Sequence, residues 1–173
     1  MIFQDFFKHP QASEALIRPA TKSDFDQLVV LFEEFFTNFN IKETLSGLSK
    51  ELLLADDAHQ FAVDIIKTYF SDREIIFVAV LNNGLVGYIS GHINTDRHLL
   101  YLPELEIVDW FVTQQYRHHG VGRKLYEVMV NLAAKKGCKS IALEAFCQNH
   151  QSIKTYERLG FVKDSLILKK KLE

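Results

Sequence analysis

The chain has 173 residues with a formal net charge of −2, and 47% of its residues are hydrophobic and 24% charged. This length and composition indicate one soluble globular domain with a sizeable core, and the near-neutral charge argues against a nucleic-acid binder. No apolar run approaches the roughly 18 residues of a membrane-spanning helix. Residues 1–13 mix charged residues with aromatic ones, unlike a signal peptide. We therefore expect a cytoplasmic protein with an N-terminal extension (1–13) and a single domain (14–173).

The first predicted elements are a short strand and a phenylalanine-rich helix. Residues 15–18 favour the strand, which ends at Pro19, and Ser23 is the predicted N-cap of the helix, with acidic residues in the first turn. Apolar residues then recur at a spacing of three and four, which is typical of an amphipathic helix packed on a core. The members of this stripe are Phe25, Leu28, Val29, Phe32, Phe35, Phe36 and Phe39. Its last three members could instead line a substrate pocket.

A helix and a hairpin are predicted next. Residues 58–70 favour the helix. Two apolar strands follow, over Glu74–Leu81 and Leu85–Asn94, and the Asn82-Asn83-Gly84 sequence between them is a strong hairpin signal.

The strand predicted over Leu105–Thr113 carries two acids, Glu106 and Asp109, in an otherwise apolar run. Because side chains alternate between the two faces of a strand, the two acids are expected on opposite faces. Glu106 shares its predicted face with Val108, Trp110 and Val112, and Asp109 shares its predicted face with Phe111.

A glycine-containing loop, Arg117–Gly122, follows this strand and opens a helix over Val121–Lys136. Gly120 and Gly122 lack a Cβ, so a ligand can approach their backbone N–H groups, and the positive end of the helix dipole favours an anion. A dinucleotide fingerprint would need a third glycine where Leu125 stands, and a P-loop would need Gly-Lys-Ser/Thr. An ordinary strand-to-helix turn is the alternative. We predict a phosphate-bearing ligand.

The remaining elements complete an alternation of helix and strand. Gly137 is the predicted glycine that ends the helix. A strand over Ser140–Phe146, a helix over Asn149–Leu159 and a closing strand region over Val162–Leu172 follow.

Two runs in this part of the chain together carry a family resemblance. The first is V-x-x-x-x-R-x-x-G-x-G, from Val112 through Gly122, and the second is N-x6-Y-E-x-L-G-F, from Asn149 through Phe161. In this order and spacing they resemble the GCN5-related N-acetyltransferase (GNAT) family, and the resemblance extends from about Leu16 to the C-terminus. It implies a single α/β (α+β) domain of the acyl-CoA N-acyltransferase fold. In that fold a mixed, mostly antiparallel sheet has helices on both faces, and two strands splay near Val112 and Glu144.

The resemblance implies acetyl-coenzyme A as cosubstrate, held in the splay, and direct transfer of the acetyl group to an amine without a covalent enzyme intermediate. The backbone of residues 110–112 would pair with the pantetheine arm, and the glycine loop would hold the pyrophosphate. Asn149 would contact the cofactor as well as cap its helix. The implied cofactor-binding residues are Trp110, Phe111, Val112, Arg117, His118, His119, Gly120, Val121, Gly122, Arg123, Asn149 and Tyr156.

The catalytic residues implied by the resemblance are a base and an acid. Glu144 precedes Tyr156 by twelve residues, a spacing similar to that of ribosomal-protein-type N-acetyltransferases, which place a base and an acid at these positions. The reaction needs both, because the amine must lose a proton and the departing thiolate benefits from gaining one. Glu106 and Asp109 are alternative bases, since many family members place the base on the strand before the glycine loop. Tyr156 could also be only a core residue.

Charge is distributed unevenly along the chain. Residues 1–100 hold 8 Lys/Arg against 14 Asp/Glu, and residues 101–173 hold 12 against 8. The acidic half predicts a cationic acceptor, either a small molecule or a protein amine. No nucleic-acid or membrane partner is expected, and the oligomeric state is left open between monomer and homodimer.

No metal site is predicted. Adjacent His118 and His119 cannot readily point at one ion, and Cys138 and Cys147 lack metal-ligand spacing. Two other classes of function are alternatives: a catalytically silent coenzyme A-binding regulatory module of the same fold, and a peptide-binding adaptor in which the loop is only structural. Binding of acetyl-coenzyme A distinguishes the adaptor from the rest, and acceptor-dependent thiol release distinguishes the enzyme from the silent module.

Overall fold

The computed structural model of the chain contains one mixed sheet with helices on both faces. The described residues are 14–38, 57–71, 74–95 and 103–170. Its helices and strands are β1 (Leu16–Pro19), α1 (Phe25–Asn38), α2 (Ala58–Ser71), β2 (Ile75–Leu81), β3 (Gly84–Asn94), β4 (Glu104–Val112), α3 (Val121–Lys135), β5 (Ser140–Leu143) and α4 (His150–Arg158). The predicted N-terminal extension and Phe39 lie outside the described residues, as do the last two residues of the predicted closing strand region.

The five strands lie in the order β1-β2-β3-β4-β5. The pairs β1–β2, β2–β3 and β3–β4 are antiparallel, whereas β5 runs parallel to β4. A parallel pair needs a crossover connection, and α3 supplies it across one face of the sheet. The predicted mixed, mostly antiparallel sheet is therefore confirmed, and β1 and β5 form the edges of its described part.

Each face of the sheet has its own hydrophobic core. On one face, α3 buries Val121, Leu125, Met129 and Ala133. On the other face, α1 and α2 bury Leu28, Val29, Leu31, Phe32, Ala62, Ile66 and Tyr69. The predicted stripe of α1 is therefore core as far as Phe32, and its next members, Phe35 and Phe36, lie partly buried where the helix leaves the sheet.

The predicted hairpin joins β2 to β3. Asn82 and Asn83 have φ angles of 51° and 64°, which a type I′ turn requires at both central residues. Asparagine adopts this left-handed region more readily than most residues. The turn pairs Leu81 with Gly84, so the hairpin prediction is confirmed.

The start of α1 differs from the prediction. A 3-10 turn over Lys22–Asp24 precedes the helix, and the cap is Thr21 rather than Ser23. The carboxylate of Asp24 accepts hydrogen bonds from the N–H of Thr21 at 2.7 Å and from the Arg18 guanidinium at 2.7 and 2.8 Å. The hydrogen bond from Arg18 holds the pKa of Asp24 far below its usual range. A contact with β1, which the local sequence does not reveal, therefore decides where the cap lies.

Two predicted strands near the C-terminus are wrong in extent. The strand predicted over Ser140–Phe146 ends at Leu143, because β5 has a partner only as far as β4 stays beside it. Residues 162–170, predicted as part of a closing strand, form no strand, since none of the described strands pairs with them.

Candidate active site

A β-bulge in β4 determines which way its acidic side chains face. Ser90 of β3 lies opposite Asp109, but the next residue, Gly91, lies opposite Ile107, so Val108 has no partner in β3. A Cβ on Gly91 would collide with the carbonyl oxygen of Glu106. The strands can therefore approach this closely only because the residue is a glycine.

The bulge overturns the prediction that the two acids face opposite sides. Ile107 lies in the same core as Trp110, on the α3 face, although strict alternation would separate them. Asp109 contacts Tyr69 of α2 on the other face. Glu106, on the far side of the extra residue, contacts His92, which also contacts Glu74 at the start of β2. The two acids therefore share the face covered by α1 and α2.

Strands β4 and β5 part at Glu144 as predicted, but on β4 they part after Ile107 and not near Val112. Their pairing covers only Glu104–Ile107 against Ser140–Leu143. Beyond this point β4 continues through residues 108–112 with no partner on the β5 side, and the chain leaves β5 at Glu144. The splay therefore exposes one hydrogen-bonding edge of β4.

The glycine loop places open backbone N–H groups beside this splay. Gly120 is the N-cap of α3 with φ 86°, and it offers no side chain to cap the helix. The first N–H groups of a helix have no acceptor within the helix. A Cβ on Gly120 would meet nothing within 4 Å, so the space in front of these groups is open to a ligand. The geometry fits an anion.

Arg117 anchors this loop to β4. Its Nε donates to the carbonyl oxygen of Val112 at 2.9 Å, and its guanidinium lies 5.6 Å from the centre of the Phe111 ring. Burial lowers the pKa of Arg117, while Glu34 opposes that shift. The basic side chain therefore holds the loop against the strand, a role that the sequence did not indicate.

The other polar side chains of this region, those of His118, His119 and Arg123, are more exposed than that of Arg117. The Nδ1 of His119 lies 2.6 Å from the carbonyl oxygen of Arg117. Arg123 pairs with Glu127, one turn further along α3, at 2.9 Å. Such exposed pairs contribute at most about 1 kcal/mol, so the side chain of Arg123 can leave this partner for a ligand at low cost.

An aromatic stack connects the three elements around the splay. The indole of Trp110 in β4 stacks on Tyr126 of α3, with 5.3 Å between ring centroids and 15° between planes, and on Tyr156 of α4, at 5.8 Å and 25°. Phe161 contacts both tyrosines, at 5.9 and 6.1 Å. A Cβ on Gly122 would lie 3.4 Å from the indole nitrogen. The stack therefore lies directly beneath the glycine loop.

Comparison with known protein families identifies the family to which this combination of splay, loop and stacked tyrosine belongs. The Acetyltransferase (GNAT) family matches residues 32–161, which is more than half of the chain. The chain belongs to the GNAT family of acetyltransferases.

Similar proteins agree with this assignment. An uncharacterized N-acetyltransferase of Methanocaldococcus jannaschii is 24% identical over 179 residues, 96% of this chain and 72% of that protein. An N-alpha-acetyltransferase of Saccharolobus solfataricus is 31% identical over 111 residues, 61% of this chain and 65% of that protein. In fold, the chain resembles the PaiA N-acetyltransferase of Thermoplasma acidophilum, solved with coenzyme A. The TM-score is 0.69, at 18% identity over 89% of this chain and 93% of that one.

Acetyl-coenzyme A is the cosubstrate of this acetyltransferase family, and the site has the features needed to hold it. The open edge of β4 can pair with the amides of an extended arm, and the start of α3 can accept its pyrophosphate. Among the described residues, no cluster of three or more His, Cys, Asp or Glu could hold a metal ion. In the same part of the chain, no helix is long and apolar enough to cross a membrane.

Tyr156 of the acetyltransferase is held as a neutral side chain at the splay. Burial raises its pKa, while the hydroxyl of Ser152 opposes the shift. The phenol therefore keeps its proton at neutral pH. Asn149 caps the same helix, since its Oδ1 accepts a hydrogen bond from the Ser152 N–H at 3.2 Å. The predicted capping role of Asn149 is thus confirmed.

Glu144 lies immediately after β5, not within a strand as predicted, and it is exposed. Its place follows from the end of pairing at Leu143. A carboxylate here is accessible to solvent.

Asp109 lies in a buried polar cluster of the acetyltransferase. Its carboxylate accepts a hydrogen bond from the hydroxyl of Tyr69, and its N–H donates to the hydroxyl of Ser90 at 3.2 Å. Burial raises the pKa of Asp109 to about 6. The hydrogen bond from Tyr69 lowers this pKa, and the charge of Glu74 raises it. Tyr69 and Ser90 were not singled out from the sequence. The one signal that could have indicated Tyr69 is its position on the apolar stripe of α2.

Glu106 is more accessible than Asp109. Its carboxylate lies 3.3 Å from Nε2 of His92, whose Nδ1 is 3.7 Å from Glu74. The side chains of Glu106 and His92 are 41% and 42% exposed. The imidazole of His92 therefore lies between two carboxylates on the α1–α2 face of the sheet.

Proposed function

We propose that this acetyltransferase moves the acetyl group from acetyl-coenzyme A directly to a primary amine on a cationic acceptor. The observation that carries the proposal is the position of Tyr156, stacked on Trp110 where β4 has lost its β5 partner. A neutral phenol beside an open strand edge and an uncapped helix start provides the parts that thioester aminolysis requires.

The cosubstrate would be bound mainly by backbone groups. Residues 110–112 offer the open edge of β4 to the amides of the pantetheine arm, and the N–H groups of residues 121–123 point toward the pyrophosphate. Arg117 contributes by fixing the loop, whereas Arg123, His118 and His119 are close enough in the chain to contact phosphate directly. The lack of any Cβ at Gly120 leaves room for this approach.

The chemistry assigns one proton transfer to each of two side chains. The amine nitrogen attacks the thioester carbonyl carbon, and the carbon–sulfur bond breaks. The sulfur leaves as a thiolate and takes the proton of the Tyr156 hydroxyl, while the nitrogen loses a proton to a carboxylate base. The thiol and the amide are then neutral, Tyr156 is a phenolate and the base is a carboxylic acid. A proton that passes from the acid to the phenolate through solvent restores both side chains, and no covalent enzyme intermediate forms.

We assign the base to Glu144. It is exposed at the splay, immediately after β5, whereas Asp109 is 9% exposed and already hydrogen-bonded to Tyr69. Of the two acids on β4, Glu106 is the stronger alternative, because its side chain stays 41% exposed beside His92.

A cationic acceptor is supported by charge. Residues 1–100 carry 14 Asp/Glu against 8 Lys/Arg, and α1 and α2, which cover one face of the sheet, belong to this part. A relative in Saccharolobus solfataricus is named an N-alpha-acetyltransferase, which makes a protein α-amino group one acceptor to test alongside small amines.

The decisive experiment is a screen of amines that monitors free coenzyme A thiol. The panel pairs peptides of one length whose second residue is lysine, alanine or glutamate, together with a diamine and a neutral amine. We expect faster turnover of the cationic members, and a smaller preference at high salt, because exposed charges are screened over about 8 Å at physiological ionic strength. Equal turnover of cationic and acidic amines at all salt concentrations contradicts the acceptor class. Cosubstrate binding without any turnover favours the silent module.

A further inference from the structure

The bulge in β4 is held on both sides of its extra residue. Before Val108, Gly91 of β3 lies so close to β4 that a Cβ on it would collide with the carbonyl oxygen of Glu106. After Val108, the N–H of Asp109 donates to the hydroxyl of Ser90 at 3.2 Å. Val108 itself, which has no partner in β3, is 43% exposed. These two contacts confine the extra residue to one position in the strand.

A group of polar side chains surrounds the second contact. We call Tyr69, Ser90 and Asp109 the bulge cluster, and its members belong to α2, β3 and β4. The hydroxyl of Tyr69 donates to the carboxylate of Asp109. Burial raises the pKa of Tyr69, and a hydrogen bond with the Ser90 hydroxyl opposes that shift. Because each member contacts the other two, the cluster forms one hydrogen-bonded unit.

The bulge cluster is placed where apolar side chains would be expected. Ser90 is completely buried, and Tyr69 and Asp109 are 7% and 9% exposed. A buried carboxylate costs free energy unless it is hydrogen-bonded, and well-packed apolar side chains often stabilise a protein as much or more. In some proteins, buried polar groups instead select one arrangement of the chain. The arrangement that this cluster can select is the bulge, since two of its members lie directly at it.

The direction of Asp109 determines the direction of the next side chain. Because successive side chains of a strand point to opposite faces, holding Asp109 toward α2 directs Trp110 toward α3. There the indole stacks on Tyr156 of α4. Hydrogen bonds on the α1–α2 face therefore bear on a ring stack on the opposite face of the sheet.

We propose that Tyr69 and Ser90 are positioning residues of acetyl transfer. They hold Asp109 on the α1–α2 face, and through the backbone of β4 they fix the indole of Trp110 and the ring of Tyr156 at the splay. Both residues act through β4 and not on the substrate. The expected effect on turnover rests on the proposed function, whereas the effect on the stack can be measured without turnover.

The fluorescence of Trp110 tests the effect on the stack. The chain contains a single tryptophan, so the emission reports on this ring alone. We expect Tyr69→Phe and Ser90→Ala to shift the emission to the red and to increase its quenching by acrylamide, because an indole released from its stack meets more water. The circular dichroism spectrum should be unchanged, and either folded variant is sufficient for the test.

Ile66→Val is the matched control for these two variants. It removes one methyl group from a buried position of α2, one turn before Tyr69, and no hydrogen bond. Its emission should match that of the wild type. Emission that is unchanged in the cluster variants, or that changes equally in the control, overturns the proposal.

Steady-state kinetics test the effect on transfer. Tyr69→Phe and Ser90→Ala should each lower kcat about tenfold, while the Kd for coenzyme A stays within about twofold of wild type, because the start of α3 is unchanged. The double variant should lose no more than the larger single loss, since members of one unit are not additive. An unchanged kcat, or a Kd that weakens as much as kcat falls, overturns the proposal, as do losses that multiply in the double variant. If the wild type turns over no amine, the proposed function fails, and the emission of Trp110 alone decides the positioning.

Discussion

The indole of Trp110 stacks on the ring of Tyr156, with 5.8 Å between the ring centroids and 25° between their planes. This contact joins β4 to α4 at the place where β4 has lost β5. It exists because the bulge at Val108 shifts the alternation of side chains along β4, and places Trp110 on the α3 face. The proposed proton donor is thus oriented by the strand that would also hold the cosubstrate.

Trp110→Leu tests this relationship. Losing the stack should let the Tyr156 ring move, and we expect kcat to fall about tenfold, because small misplacements of a catalytic group are costly. The KM for acetyl-coenzyme A should change less, and Trp110→Phe should restore most of kcat. Because the chain contains a single tryptophan, its fluorescence in the wild type should respond to cosubstrate binding. Equal losses of kcat in the two variants would show that stacking is not the cause.

Tyr156→Phe removes the hydroxyl and keeps the ring in the stack. We expect kcat to fall by at least about tenfold, a conservative value for general acid catalysis because a thiolate leaves well even without a proton. The Kd for acetyl-coenzyme A, measured by calorimetric titration, should stay within about twofold of wild type. An unchanged kcat would assign Tyr156 to packing alone.

Glu144→Gln removes the proposed base. Since the base acts on the amine, its loss should lower kcat/KM and move the acidic limb of the pH profile, where little unprotonated amine exists. Glu106→Gln and Asp109→Asn are the matched controls, and each should keep that limb. If either control loses the limb while Glu144→Gln retains it, the base lies on β4.

Gly120→Ala and Gly137→Ala separate ligand binding from backbone strain. Both glycines have positive φ angles, 86° and 74°, and a Cβ at either meets nothing within 4 Å. Each variant should therefore lose a similar stability, about 1–2 kcal/mol. Only Gly120→Ala should weaken acetyl-coenzyme A binding, by roughly tenfold or more in calorimetric titration, because the added methyl group enters the space for the phosphate. Equal affinities of the two variants would remove the phosphate site from the loop.

Asp109→Asn should change how stability depends on pH. Burial raises the pKa of this carboxyl from 3.8 to about 6, so the folded protein holds the proton more tightly than the unfolded chain. The resulting contribution to the free energy of unfolding is complete below pH 3.8 and is lost as the pH rises through 6. Its size is about 3 kcal/mol. Asparagine does not titrate, so the variant should gain about that much relative to wild type between pH 4 and 7 in urea unfolding. If the difference in unfolding free energy between variant and wild type does not vary with pH, the pKa of Asp109 is not raised in the folded protein.

Features set by short-range chemistry could be predicted from the sequence. The Asn82-Asn83-Gly84 turn, the glycine that ends α3 and the cap at Asn149 depend on residues within one turn of each other. The order of strands and helices followed from apolar periodicity, and the loop and Tyr156 followed from the spacing of two runs. The turn, the helix end and the cap each have a cause within a few residues of their effect, whereas the loop and Tyr156 were recognised by the resemblance that the two runs carry.

The directions in which the site's side chains face could be determined only from the folded chain. Gly91 and Glu106 are distant in sequence, yet their close approach creates the bulge that places Glu106 and Asp109 on one face. The cap at Thr21 depends on Arg18 in β1, and the length of β5 depends on where β4 turns away. Alternation and capping preferences are properties of an isolated segment, whereas bulges, strand ends and buried polar contacts arise only when a second segment lies against the first.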